Sequence, residues 1–205
     1  MTKVMGFLRH GNVNGPLGPE FYDSVYSRSD HYRGPPEKSP YHPLWKAVLG
    51  CLEPGWRILD VGCGTGQFAR LCVDAGHPYV GLDFSEEAIT LARNRVPEAG
   101  FHLTDLTKDR APLEEGDYDV ATFVEFLEHV EDDTGILGSV PPGRNIVLSV
   151  PNYGGREHVR FFDSLQSVAA RYGLLVNFSK EGELAWGSTP RRVYLLAGVR
   201  VPRRS

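Results

Sequence analysis

From residue 57 onward, short apolar runs alternate with longer amphipathic stretches. The stretches at 66–75 and 85–95 carry their apolar residues at the spacing of a helix with one buried face. The runs between them are almost wholly apolar, as strands buried on both faces of a sheet are. These runs occupy residues 57–61, 79–83, 101–103, 119–123 and 145–150. The repeated strand–helix unit predicts a parallel sheet with helices on both faces.

The pattern changes after the fifth predicted strand. Residues 163–172 predict a helix that ends at Gly173, but the apolar runs at 174–178 and 193–199 have no helix between them. Neighbouring strands without a crossover helix are typical of an antiparallel hairpin. We therefore predict an α/β three-layer sandwich whose seven-stranded sheet is mostly parallel and ends in an antiparallel C-terminal hairpin.

The chain before residue 57 is less regular. Residues 1–20 are rich in Gly and Pro and show little periodicity, which predicts a mobile arm. A short helix is predicted at 21–29 and an amphipathic helix at 44–52. We therefore divide the chain into an N-terminal arm, residues 1–40, and one folded domain, residues 41–205.

Composition narrows the class of protein. The 205 residues carry a formal net charge of −4, and 41% of them are hydrophobic. This balance gives no basic surface for a nucleic-acid partner, and no apolar run reaches the length of a membrane span. The three cysteines, Cys51, Cys63 and Cys72, form no paired metal motif, and their odd number fits reduced thiols. With no secretory signal evident, these features predict a cytoplasmic protein.

A glycine-rich turn follows the first predicted strand. The strand ends at Asp60, and the turn leading into the next helix contains Gly62, Gly64 and Gly66. Such glycines allow a tight turn and let a ligand lie against bare backbone, while the first N–H groups of the helix face that ligand. The second strand ends at Asp83, where nucleotide-binding units place the acid that binds a ribose hydroxyl. The sequence therefore predicts a nucleoside site.

The details of the turn disfavour a dinucleotide and a nicotinamide-dependent reductase. The spacing is G-x-G-x-G, and Gln67 stands next, where a third glycine would be expected. The carboxylate of Asp60 would repel a pyrophosphate but suits a ligand with an ammonium group. The D-x-G-x-G-x-G turn resembles that of the class I S-adenosylmethionine-dependent methyltransferases, which have a Rossmann-like fold. The resemblance spans roughly residues 40–200 and is strongest over 56–131.

This resemblance implies that S-adenosylmethionine is the cofactor and that it binds at the carboxyl ends of the strands. The turn would hold the methionine end, Asp83 the ribose and Asp105 the adenine amino group, while Phe84 would pack on the adenine ring. It also implies that residues 1–40 include a lid over the cofactor. The predicted cofactor-binding residues are Asp60, Gly62, Cys63, Gly64, Gly66, Asp83, Phe84, Asp105, Leu106, Val124 and Glu125.

A second motif, E-x-x-E-H, follows the fourth predicted strand and comprises Glu125, Glu128 and His129. On a helix these residues would share one face, directed toward the transferred methyl group. Three interpretations stay open. His129 can act as a general base, because its ordinary pKa suits proton transfer near neutral pH. Alternatively, the three residues hold Mg²⁺ or Mn²⁺ together with His158, or the face is structural.

The E-x-x-E-H pattern resembles the metal site of small-RNA 2′-O-methyltransferases, and the ubiquinone-pathway O-methyltransferases carry a similar E-x-L-E-H-V element. The paired histidines and basic surface expected of the RNA enzymes are missing from this chain. In the loop after the fifth strand, His158 is a second candidate base. Arg160 in the same loop is a candidate partner for an acidic acceptor or for Glu157.

We therefore predict an enzyme that transfers a methyl group from S-adenosylmethionine to an oxygen or nitrogen of a small-molecule acceptor, by in-line displacement. His129 and His158 are the predicted catalytic residues, and the main prediction includes no metal. A metal-assisted RNA 2′-O-methyltransferase and a non-catalytic cofactor-binding subunit of the same fold are the alternatives. The aromatic residues predicted to line the acceptor pocket are Tyr153, Phe161, Phe162 and Trp186.

Overall fold

A computed structural model describes residues 16–202 of the chain. Most of the predicted arm at residues 1–20 lies outside the described residues. The helices are α1 (Pro19–Arg28), α2 (Asp30–Arg33), α3 (His42–Leu49), α4 (Gln67–Asp74), α5 (Glu86–Arg95), α6 (Ala111–Glu115), α7 (Asp133–Gly138) and α8 (Leu165–Tyr172). The strands are β1 (Ile58–Val61), β2 (Tyr79–Asp83), β3 (Gly100–Leu103), β4 (Val120–Val124), β5 (Asn145–Pro151), β6 (Val176–Ala185) and β7 (Arg192–Arg200).

The seven strands form one sheet in the order β3-β2-β1-β4-β5-β7-β6. Strands β1 to β5 are parallel, β7 is antiparallel to β5, and β6 is antiparallel to β7. The predicted fold class, including the antiparallel hairpin, is confirmed. The strand order reverses at β1 and β4, and ligands of such sheets bind at the carboxyl ends beside this reversal.

The core lies on both faces of the sheet. Alternate residues of β5 show the division, since Ile146 and Leu148 belong to one apolar cluster and Val147 to the other. All the β1 residues are buried as well, which explains why these strands read as continuous apolar runs rather than alternating ones. Helices on each face therefore hold the ends of β1 to β5 at fixed positions.

The segment after β4 differs from the sequence interpretation. The E-x-x-E-H residues are predicted to share one face of a helix beginning near Glu125, and the structure has no such helix there. Glu125 has a φ of 52°, and only a short 3₁₀ turn, Leu127–His129, follows it. A left-handed residue interrupts a right-handed helix, so the spacing of the motif does not set the relative positions of its side chains.

Within residues 16–202, none of the helices combines the length and the apolar character that crossing a membrane requires.

Candidate functional site

The glycine-rich turn has the backbone that the sequence predicts. Gly62, Gly64 and Gly66 have φ values of 74°, 52° and 75°, a region that favours glycine. A Cβ at Gly66 would lie 3.0 Å from both the Cα and the Cβ of Ala92 in α5. Glycine at this position thus permits the left-handed turn and the close approach of two helices.

Asp83 fixes one side of this turn. Its carboxylate accepts hydrogen bonds from the Gly64 N–H at 2.9 Å and the Ser85 N–H at 3.0 Å. Burial raises the pKa of Asp83 to about 6, although these backbone bonds oppose the shift. The Ser85 side chain in turn caps α5 by accepting from the Ala88 N–H. The predicted ribose acid therefore lies between the turn and the start of α5.

Asp60 lies beneath the turn and is only 3% exposed. One carboxylate oxygen accepts from the Thr122 hydroxyl at 2.5 Å, and the other accepts from the Tyr79 hydroxyl. Burial raises the pKa of Asp60 to about 7, and the two hydroxyl donors oppose that shift. The two donors belong to the neighbouring strands β2 and β4, so Asp60 is held to the sheet, and in its ionised form it supplies negative potential at the end of β1.

Helix α1 covers this region. The ring of Tyr22 lies 5.3 Å from the ring of Phe84, between centroids, and the Tyr26 hydroxyl lies 3.6 Å from where a Cβ of Gly64 would be. Asp23 accepts a hydrogen bond from the Ser85 hydroxyl at 2.5 Å. The predicted lid segment thus contacts the predicted cofactor residues, although its role as a lid stays a prediction.

Helix α2 and the next residue, Gly34, are held by three side chains, one each from the turn, α4 and α5. Gln67 donates to the carbonyls of His31 at 2.9 Å and Gly34 at 2.8 Å. The Thr65 hydroxyl donates to the Tyr32 carbonyl at 2.6 Å, and Arg95 donates to several carbonyls of residues 32–34. This contact of Gln67 was not predictable from the sequence, because no local pattern marks a hydrogen bond to a carbonyl 33 or 36 residues away.

The remaining predicted cofactor residues are placed differently. The carboxylate of Asp105 accepts from the side chain and N–H of Thr107 and pairs with Lys108, within its own turn. Leu106 and Cys63 are buried in the apolar clusters, and burial raises the pKa of the Cys63 thiol. Val124 ends β4 in a half-buried position. Contact of these residues with a cofactor stays a prediction.

Glu125 joins the ends of β4 and β5. Its N–H donates to the Ser149 hydroxyl at 2.9 Å, and that hydroxyl donates to the Glu125 carboxylate at 3.0 Å. Desolvation raises the pKa of Glu125 to about 7, with the Ser149 bond opposing the shift. This reciprocal pair holds the left-handed backbone of Glu125 in place.

Three of the four residues of the alternative metal set come together. Ligand atoms of Glu128, His129 and His158 all lie within 4.8 Å of one another, whereas Glu125 is not part of this group. Glu128 is 0% exposed, and neither of its carboxylate oxygens has a hydrogen-bond partner within the described residues. We refer to Glu128, His129 and His158 as the Glu-His-His cluster.

Both imidazoles of this cluster have Nε2 beside a carboxylate, that of His129 at 3.9 Å from Glu128 and that of His158 at 3.5 Å from Glu157. The Nδ1 atom of His129 lies 3.1 Å from the Glu157 carbonyl, and that of His158 lies 3.1 Å from the Tyr153 carbonyl. A carbonyl only accepts, so each Nδ1 carries the proton and each Nε2 presents a lone pair. Burial, with the neighbouring His158, lowers the pKa of His129 to about 4, and burial also lowers the pKa of His158. Both rings are therefore neutral near neutral pH.

The cluster fits a divalent cation. A buried carboxylate with no donor is costly unless it is protonated or faces a cation, and burial raises the pKa of Glu128 well above its usual range. One ligand atom from each of the three residues lies within 4.8 Å of the others, and each imidazole ring is oriented through Nδ1 by a backbone carbonyl, as metal-ligating histidines usually are. Carboxylate and imidazole together suit Mn²⁺ and, less well, Mg²⁺.

Arg160 contacts the segment that follows β4. Its guanidinium donates to the carbonyls of Leu127, Val130 and Glu131, and it pairs with Asp133 at 3.3 Å. It is therefore engaged with the backbone of the segment that carries Glu128 and His129, and not with the Glu157 side chain, while contact with an acidic acceptor stays a prediction.

The four aromatic residues predicted to line the acceptor pocket lie in different surroundings. Phe162 is 1% exposed and packs on Tyr172 in the core, and its place in the acceptor pocket stays a prediction. Tyr153 lies against the cluster, with its ring 5.9 Å from that of His158, and the Arg191 guanidinium lies 4.8 Å above it. Trp186 packs on Tyr41, and Phe161 is half-buried.

The fold and the turn define a Rossmann-like sheet of the methyltransferase class. The sequence matches the methyltransferase domain family over residues 32–186, and the chain belongs to that family. It aligns with a ubiquinone biosynthesis O-methyltransferase of Escherichia coli strain SMS-3-5 at 32% sequence identity. The alignment covers 73% of this chain and 66% of that enzyme. An enzyme of the same description from Vibrio parahaemolyticus aligns at 37% sequence identity, over 48% of this chain and 45% of that enzyme. The chain thus spans less than two thirds of the length of these relatives.

Solved structures agree on the fold. Magnesium protoporphyrin IX methyltransferase from Synechocystis, crystallised with bound S-adenosylmethionine, has a TM-score of 0.64 at 18% identity and covers 91% of this chain and 99% of its own. The [4+2]-cyclase SpnF has a TM-score of 0.72 at 16% identity and covers 93% of this chain and 98% of its own. The predicted methyltransferase class is confirmed by the family match. The comparisons give no support to the RNA methyltransferase alternative.

Proposed function

We propose that the chain binds S-adenosylmethionine at the glycine-rich turn and transfers its methyl group to a small-molecule acceptor held beside the Glu-His-His cluster. One observation carries this proposal. The ring of Tyr22 lies between Phe84 and His129, at centroid distances of 5.3 and 6.1 Å. The cofactor residues and the cluster are therefore separated by a single aromatic ring, a span over which a methyl group of one ligand can meet an atom of another.

Each part of the cofactor has a partner at the turn. The Asp83 carboxylate suits the ribose hydroxyls, and Phe84 suits one face of the adenine ring. The ionised form of Asp60 would favour the ammonium group of the methionine end. Bare glycine backbone leaves room for the chain of atoms between them.

The acceptor is proposed to be a hydroxyl or amine of a small molecule. The relatives described as O-methyltransferases of ubiquinone biosynthesis favour a hydroxyl. In an in-line displacement, the acceptor atom forms a bond to the methyl carbon as the carbon–sulfur bond breaks and S-adenosylhomocysteine leaves. The acceptor's proton moves to an Nε2 lone pair, of His129 or His158.

The unpartnered carboxylate of Glu128 favours a second candidate, in which the methylation is metal-assisted. Glu128, His129 and His158 would hold Mn²⁺ or Mg²⁺. A cation bound there would supply Lewis acidity that lowers the pKa of an acceptor hydroxyl. The protein would contribute the orientation of both imidazoles through the carbonyls of Tyr153 and Glu157.

Calorimetric titration of metal-stripped protein with S-adenosylhomocysteine tests the cofactor site. We expect stoichiometric binding that Asp83→Asn weakens by about 10-fold or more, because hydrogen bonds to a charged group are worth roughly 1.5–3 kcal/mol. Asp163→Asn is the matched control, and it is expected to change the affinity by less than about 2-fold because Asp163 is exposed and lies outside the predicted cofactor residues. Absence of binding by the unaltered chain would overturn the proposal.

Titration of the cofactor-loaded protein with Mn²⁺ tests the second candidate. One site is expected, and Glu128→Gln should remove it. Glu131→Gln is the matched control, since the Glu131 side chain is exposed and lies outside the cluster. If Mn²⁺ does not bind, the metal-assisted candidate fails and the histidines act on the acceptor without a cation.

A further inference from the structure

We propose that Tyr22 is a positioning residue that links helix α1 to His129, so that the His129 ring is held in its working orientation only while α1 covers the cofactor site. The catalytic consequence rests on the proposed function. The link itself is a structural statement about ligand-free protein.

The contact joins two distant parts of the chain. The Tyr22 hydroxyl lies 3.1 Å from Nδ1 of His129, 107 residues away. The two rings meet edge to face, with centroids 6.1 Å apart. Because Nδ1 carries the proton toward the Glu157 carbonyl, the Tyr22 oxygen accepts a share of the same hydrogen. Tyr22 and Glu157 together fix the plane of the ring and hence the direction of Nε2.

Helix α1 has the properties of an element that can leave its site. None of its ten residues, all of which the structure describes, is fully buried. Its contacts with the domain include polar bonds from the Ser85 hydroxyl and the Glu87 N–H to Asp23, and the Arg156 guanidinium over the Phe21 ring at 5.6 Å. Elements with few buried apolar contacts open at low free-energy cost.

The same movement affects both sites. Tyr22 packs against Phe84, so α1 has to move away before a cofactor can enter or its product can leave on that side. Moving α1 also removes the Tyr22 hydroxyl from His129. The ring is then held only by the Glu157 carbonyl, and the direction of Nε2 within the Glu-His-His cluster is no longer fixed. The cluster is therefore complete only when the cofactor site is covered.

A double-mutant cycle read by amide hydrogen exchange tests the link without any ligand. Tyr22→Phe removes only the hydroxyl, and His129→Ala removes its partner. We expect each variant to increase exchange in α1 severalfold, and the double variant to increase it no more than the larger single effect. Exchange in β4 should stay unchanged, which excludes general unfolding. Tyr194→Phe is the control, because it removes a hydroxyl that donates to a carbonyl, of Asp163, outside the site.

Two further measurements separate positioning from simple structural support. In Tyr22→Phe, kcat should fall by about 10- to 100-fold, the loss typical when a group that orients a functional histidine is removed. Its affinity for S-adenosylhomocysteine should change by less than about 3-fold, because Phe retains the ring that packs on Phe84. Unchanged exchange in α1, additive effects in the cycle, or an unchanged kcat would each overturn the proposal.

The outcome is distinguishable from failure of the proposed function. If the unaltered chain does not bind S-adenosylhomocysteine, the proposed function fails, while the exchange cycle still decides whether Tyr22 and His129 are linked.

Discussion

Single residues give the site its electrostatic character. Burial raises the pKa of Asp60 to about 7 and that of Asp83 to about 6, and desolvation raises that of Glu125 to about 7. Each value exceeds the value of the same group in an unfolded chain, so the folded protein binds more protons than the unfolded chain over this range. The stabilisation from these groups is complete below about pH 4, and it is lost as pH rises toward their folded-state pKa values.

The contribution of these three carboxyl groups to stability should therefore fall between about pH 4 and pH 7, while the lowered pKa of His129 contributes in the opposite direction over the same range. Asp60→Asn should remove part of the fall and so shift the slope of stability against pH toward more positive values. The substitution removes one titrating group, which can change the slope by at most about 1.4 kcal/mol per pH unit. Urea unfolding at several pH values measures it. Asp163→Asn, at an exposed position, is the matched control, and equal slopes in the Asp60 variant and the unaltered protein would contradict the prediction.

At the scale of elements, the turn between β1 and α4 depends on its contact with α5. Gly66 and Gly55 both have left-handed backbones, with φ values of 75° and 77°. A Cβ at Gly66 would press on the backbone of α5, whereas a Cβ at Gly55 would have nothing within 4 Å among the described residues. Substituting alanine at each glycine in turn therefore separates the cost of the left-handed backbone, which both share, from the cost of packing against α5, which only Gly66 has.

Gly55→Ala should reduce the free energy of unfolding by about 1–2 kcal/mol, the cost of a left-handed alanine. Gly66→Ala should cost a further 1–3 kcal/mol or so, because it adds overpacking against Ala92. Equilibrium denaturation of the two variants measures the difference directly. Equal losses would mean that α4 and α5 separate without strain.

Elements were predictable where the chain itself marks their limits. The strand ending at Asp60 and the one ending at Asp83 are apolar runs closed by an acid, and glycines mark the turn between β1 and α4, so pattern alone locates them. The segment that carries Glu128 was not predictable in this way. Arg160, about 30 residues along the chain, engages its carbonyls, and Ser149 holds the left-handed Glu125. Such long-range contacts leave no periodic signal.

At the scale of the whole molecule, the sheet holds the two halves of the site. The turn after β1 and Asp83 at the end of β2 form one half, and the Glu-His-His cluster, from the segments after β4 and β5, forms the other. The β6–β7 hairpin adds a third contact, because Trp186 packs on Tyr41 with ring centroids 4.9 Å apart. This contact joins the tip of the hairpin to the segment that leads into α3.

Trp186→Ala should therefore loosen both partners of this contact. Hydrogen exchange is expected to rise in the hairpin tip and in residues 36–45 together, while β4 stays protected. The aromatic pair is worth about 0.5–1.5 kcal/mol beyond the area it buries, so a rise of several-fold is expected. Trp186→Phe should restore most of the protection. A rise confined to the hairpin would show that the contact does not hold residues 36–45.

The position of β7 has a consequence for synthesis on the ribosome. Strand β6 leaves the ribosome before β7, yet its sheet neighbour among the described strands is β7. Until β7 follows, the nascent chain presents the open, apolar edge of β5 and an unpaired β6. Such edges are where growing chains associate wrongly. Among the described strands, sheet formation therefore ends when β7 inserts between β5 and β6. We expect chaperones that shield apolar segments to bind the nascent chain before that insertion.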